Sequence, residues 1–76
     1  MELNEFLKNF ANQFDETDPS EIQAKTVYRD LEEWSSLIGL AILNMIAKKY
    51  DVKITPTEIK GTATVEDVYN LVQSKL

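Results

Sequence analysis

Apolar side chains recur at helical spacing at Leu3, Phe6, Leu7, Phe10 and Phe14, while Asn4, Glu5, Lys8 and Asn12 fall off that stripe. This predicts an amphipathic first helix over about residues 3–15. A long polar connection follows, from Asp15 to Ser35. Within it, Asp18-Pro19-Ser20-Glu21 has the form of a helix start, with Asp18 as cap and Pro19 at the first helical position. A short turn through Ala24 is expected there. Val27, Tyr28, Leu31 and Trp34 are the apolar points of the connection and are expected to tack it onto the core.

The next helix is predicted from about Ser36 to Tyr50, with Ser35 as its cap. From Leu37 to Ala47 only Gly39 and Asn44 are not apolar. At helical pitch, Gly39, Leu40, Ile42, Leu43, Ile46, Ala47 and Tyr50 share one wide face, which is assigned to the core. Leu37, Ile38, Ala41 and Met45 fall opposite, with Asn44 and Lys48, and form an apolar strip on the expected outer side. Val52 and Ile54 point inward from a connector. Thr55-Pro56-Thr57-Glu58 reads as a capping box opening a short helix, with Gly61 as its left-handed stop. Thr64 caps a last helix whose stripe is Val65, Val68, Val72 and Leu76. No long alternating strand pattern occurs. The expected fold is all-α: one domain spanning 1–76, a small four-helix bundle of three main helices plus one short helix, with a long loop between the first two main helices.

Composition narrows the function. With 76 residues, no Cys and no His, the chain lacks disulfides, thiolate metal sites and the commonest general base. An autonomous enzyme is not expected. A net charge of −5 disfavours nucleic acid and favours partners with basic patches. No basic segment followed by an apolar run opens the chain, and the run from Leu37 to Ala47 is too short to span a bilayer. A monomer in the cytoplasm is the default expectation. Asp15, Glu16 and Asp18 do not follow calcium-loop spacing and read as solvated.

One stretch carries more specific information. Tyr28-Arg29-Asp30-Leu31-Glu32-Glu33-Trp34-Ser35-Ser36-Leu37 leads into the apolar helix, which ends Lys48-Lys49-Tyr50-Asp51-Val52. Ile54-Thr55-Pro56 and Thr64-Val65-Glu66-Asp67 follow. Across nearly its whole length the chain resembles the acyl carrier proteins, small four-helix domains that bind phosphopantetheine. Their pattern is an Asp-Ser-Leu triplet opening the second helix, with the Ser as attachment point. The resemblance implies that Ser36 carries a covalent 4′-phosphopantetheine arm, added by a phosphopantetheinyl transferase. It also implies that acyl-loading and acyl-using enzymes with basic docking patches are partners. Here Ser35 stands in place of the Asp, which keeps a cap and removes a charge. No Asp or Glu occurs from Trp34 to Tyr50, where the family usually places acids, and this departure suggests a specialised carrier.

Two readings stand beside each other. Leu37, Ile38, Ala41 and Met45 either pack under the loop or form a docking strip, with Met45 as an adaptable contact. Glu32 and Glu33 either are solvated or steer a basic partner. Gly39 leaves room for an arm, and Trp34 is expected to anchor the loop. In the rival reading Ser36 is an ordinary first-turn residue, and the chain is an unmodified helical protein-interaction module using the same apolar face.

Overall fold

Each helix of the computed structural model, which describes residues 1–76, begins at a side chain that accepts a backbone N–H. The helices are α1 (Leu3–Ala11), α2 (Ser36–Tyr50), α3 (Pro56–Lys60) and α4 (Val65–Gln73). Ser35 Oγ accepts from Ile38 N at 3.3 Å. Thr55 with Glu58, and Thr64 with Asp67, form reciprocal capping boxes. The architecture is the small all-helical bundle expected, and it has no strands. A single bridge joins Val27 to Thr64.

α1 is shorter than its hydrophobic stripe. It ends at Ala11 and continues as tighter turns, with Gln13 N on Phe10 O at 3.1 Å and Phe14 N on Ala11 O at 3.0 Å. The next N–H groups have a stronger acceptor. Asp15 N, Glu16 N and Thr17 N all donate to the Glu33 carboxylate, at 2.6, 3.0 and 2.8 Å. A charged acceptor of this kind outcompetes a further helical turn. Phe14 is nevertheless buried, because the turn carries it back onto the core.

The long loop is built rather than loose. Pro19–Glu21 and Tyr28–Asp30 each form one 3₁₀ turn, the first capped by Asp18 as expected. Ile22, between them, is buried. Ala24 O and Thr26 O accept the N–H groups of Glu66 and Val65, so the loop satisfies the open start of α4. Tyr28 is fully buried, and its hydroxyl lies 2.6 Å from Thr62 Oγ1. Arg29 clamps the same place, donating to Thr62 O at 2.6 Å and Ile59 O at 2.7 Å.

α1 packs against both α2 and α4. One continuous core joins Phe6, Phe10, Phe14, Tyr28, Ile42, Ile46, Val65, Val68 and Val72. Val52 and Ile54 point inward as expected, whereas Leu76 is exposed and leaves the α4 stripe. Gly61 is not the left-handed stop expected of it, since its φ is −79°. The left-handed residue is Asp51, at φ 55°, which turns the chain out of α2.

The face of α2 turned to the core is partly the one expected. Ile42 and Ile46 are buried and Leu43 and Tyr50 pack against the core, but Met45 joins them, and Leu40 and Ala47 lie on the outside. Ile38 packs against the core as well. The physical reason is that α2 is apolar nearly all round, so periodicity alone does not choose a face. Trp34 packs over Gly39, and Leu40 beside it is exposed.

Candidate functional site

Ser36 is the first residue of α2 and is exposed. The extended backbone of Ser35 precedes it, so the chain arrives and turns into the helix with residue 36 facing outward. Ile38 N is taken by Ser35 Oγ, and Gly39 N by Ser35 O at 3.0 Å. The N–H groups of Ser36 and Leu37 have no protein acceptor. The Ser36 hydroxyl therefore sits beside two open donors at the positive end of the helix dipole.

Ser36 also borders a groove of about 420 Å³ between α2 and α3. Leu40 and Leu43 line it from α2, Pro56 and Ile59 from α3, and Tyr28 and Trp34 from the loop. Arg29 and Lys60 are its only charged residues, and both are cations. Arg29 is held by two carbonyls, while Lys60 is exposed. Leu40, Leu43, Ile59 and Lys60 were not singled out from the sequence as site residues. The only signal for them was the capping box that starts α3, since the groove exists through the packing of α3 beside α2.

The other candidate residues separate. Leu37 is 77% exposed and, with Leu40 at 57%, gives α2 an apolar outer edge. Ile38 and Ala41 are half-buried. Met45 is 5% exposed and belongs to the core, so it is no part of an outer strip. Glu32 is exposed and lines an acidic cleft with Glu16 and Glu21. Glu33 borders that cleft, but its carboxylate is occupied by the Thr17 hydroxyl at 2.6 Å and by the three N–H groups above. The Thr17 hydroxyl first, and then those N–H groups, hold its pKa below the ordinary 4.5 against the opposing cost of desolvation. Glu33 is thus a structural tie between the loop and the end of α1.

Gly39 has a structural explanation. A Cβ there would lie 3.3 Å from Trp34 Cη2 and 3.4 Å from Cζ2. Trp34 takes that side of Gly39, and Gly39 also lines the groove beside Ser36. Trp34 in turn meets Tyr28 edge-on at 5.0 Å. It anchors the loop, as expected, and lines the groove as well.

Compared with models of protein families, with curated proteins and with solved structures, the chain gives no match. No helix is long and apolar enough to cross a membrane.

Proposed function

We propose that this chain is an acyl carrier, modified on Ser36 with 4′-phosphopantetheine. The observation that carries this reading is the joint position of Ser36: exposed, at the start of α2, and on the lip of an apolar groove. In the modification the serine Oγ would bond to the β-phosphorus of coenzyme A. The pyrophosphate bond breaks, 3′,5′-adenosine bisphosphate leaves, and the hydroxyl proton passes to the transferase. The chain needs no base of its own, which agrees with a protein without His.

The residues present fit the group. The open N–H groups of Ser36 and Leu37 suit a phosphodiester, and Lys60 adds a positive charge at the groove. The arm, when bound, supplies the thiol that carries acyl groups as thioesters. The protein orients the arm by its attachment point and offers the groove to whatever the arm bears. Leu37 and Leu40 give partner enzymes an apolar contact, and Glu32, with Asp30 near it in sequence, gives basic patches on them an acidic one. The absence of acids along α2 favours a dedicated set of partners over a general fatty-acid role.

The exposure of Leu37 and Leu40 also supports a second reading, an unmodified interaction module that docks through the same edge. Intact mass after incubation with coenzyme A, magnesium and a broad-specificity phosphopantetheinyl transferase separates the two. A single added phosphopantetheine on the native chain and on Ser35→Ala, lost in Ser36→Ala, is the result expected of the carrier. Native mass in all three, under conditions where a known carrier is fully modified, favours the interaction module.

A further inference from the structure

We infer that the outer edge of α2 pairs, end for end, with the same edge of a second copy of this chain, forming a weak dimer. Leu37, Leu40, Asn44 and Ala47 are all exposed, and they are spaced three, four and three residues apart. That is the spacing by which one helix seats on another, along a narrow seam. The buried residues Ile42, Met45 and Ile46 lie on the opposite side of the helix. α2 therefore has a core face and, away from it, a helix-pairing seam with nothing on it. The two halves of the seam differ. The first half projects two leucines, Leu37 and Leu40, that are more than half exposed. The second half is low. Asn44 borders two shallow hollows, one edged by Gln13, Ala41 and Lys48 and the other by Leu43, Ala47 and Lys53. A second copy turned end for end sets the leucines of each chain over the hollows of the other. A parallel copy would set leucine on leucine and leave the hollows open.

Charge selects the same arrangement. Exposed Asp30 and Glu32 precede the seam, and exposed Lys48 and Lys49 end it. Neither lysine has an acidic partner within the chain, whose only ion pair joins Lys75 to Glu58. End for end, the lysines of each copy approach the acids of the other, whereas in a parallel pair like charge meets like. From Leu37 to Lys48 the seam runs about 16 Å at 1.5 Å per residue. One helix edge of that length falls short of the roughly 1,200–2,000 Å² that stable complexes bury, so the dimer is weak and dilute chain is monomeric. The inference does not need the carrier reading, since no arm takes part in the pairing. Where both hold, Ser36 is covered beside Leu37 in the dimer and free in the monomer.

Sedimentation equilibrium of the unmodified chain, from roughly 20 μM to 2 mM, covers the range of weak association. Half of the chain is expected as dimer at on the order of 0.5 mM in low salt, and less of it in high salt. Leu37→Ser and Leu40→Ser together should weaken pairing at least about tenfold. Lys48→Glu with Lys49→Glu should weaken it several-fold. Adding Asp30→Lys and Glu32→Lys to that same chain should restore it, because the exchanged charges face their opposites only when the copies lie end for end. All six positions are exposed, and circular dichroism checks that each variant keeps its helices.

The mass of a single chain at every concentration would overturn the inference and leave the seam to a different protein. So would a dimer indifferent to the two leucines, or charge reversals that neither weaken pairing nor, when combined, restore it. The measurement needs no coenzyme A and no transferase. Failure of Ser36 to accept phosphopantetheine would therefore remove the carrier reading and leave the dimer standing, while a chain that never pairs would leave the carrier reading untouched.

Discussion

The carboxylate of Glu33 collects four donors, three from the backbone between Asp15 and Thr17 and one from the Thr17 hydroxyl. These favour its ionised form, so its folded pKa lies below the ordinary 4.5. As the pH falls, the unfolded chain takes up this proton before the folded one does. The stability contributed by Glu33 is therefore complete above 4.5 and is lost as the pH drops through the lowered folded value. Asp18, Glu58 and Asp67 are lowered too, and their contributions are lost with the same sign. Each is well solvated, so each share is modest. Glu33→Gln should lower the unfolding midpoint near neutral pH, because an amide offers one acceptor oxygen where the carboxylate offers two. It should also flatten the fall in midpoint between roughly pH 5 and pH 3 without abolishing it. Thermal unfolding followed by circular dichroism across that range checks both effects. An unchanged slope in Glu33→Gln would show that the tie does not govern acid stability.

Among the elements, α2 tests the assignment of faces. Met45 lies in the core and Leu37 outside it, although the sequence pattern puts the two on the same side. Met45→Ala should cost about 2–4 kcal/mol, the range for emptying a buried site of this size. Leu37→Ser should stay within about 0.5 kcal/mol, as exposed substitutions do. Urea titration of both variants measures the difference, and similar costs would contradict the observed rotation of the helix. The starts of α2, α3 and α4 were legible because a cap is a local device: Ser35, Thr55 and Thr64 each bond within three residues. The core face of α2 was legible only in part, because the helix is apolar nearly all round and its periodicity does not place Leu40, Met45 and Ala47. The end of α1 was hidden for a different reason. Phe14 keeps the stripe's spacing, but a glutamate far along the chain takes the N–H groups that a longer helix would have used.

At the scale of the whole molecule, the loop between α1 and α2 holds the bundle together from one side. It caps α4 through Ala24 and Thr26, clamps α3 through Tyr28 and Arg29, and lines the groove through Trp34. Ser36 was legible from its place at a helix start, whereas the groove beside it was not, since much of its lining comes from α3 and the loop. The joint that fixes this geometry is Thr62. It is buried, and its hydroxyl donates to Ile59 O at 2.7 Å while lying 2.6 Å from the Tyr28 hydroxyl. Thr62→Val keeps the shape and removes the hydroxyl, leaving Tyr28 with only a long contact to Ile59 O at 3.4 Å. The expected cost is about 1–3 kcal/mol, that of stranding a buried polar partner. Tyr28→Phe removes the other half of the pair, so the double variant should cost less than the sum of the single ones by about 1 kcal/mol. A cycle that closes additively would show that the hydroxyls do not couple loop to helix. If they do couple, amide exchange in α3 should quicken in Thr62→Val more than in α4, because α3 is only five residues long and depends on the clamp for its position.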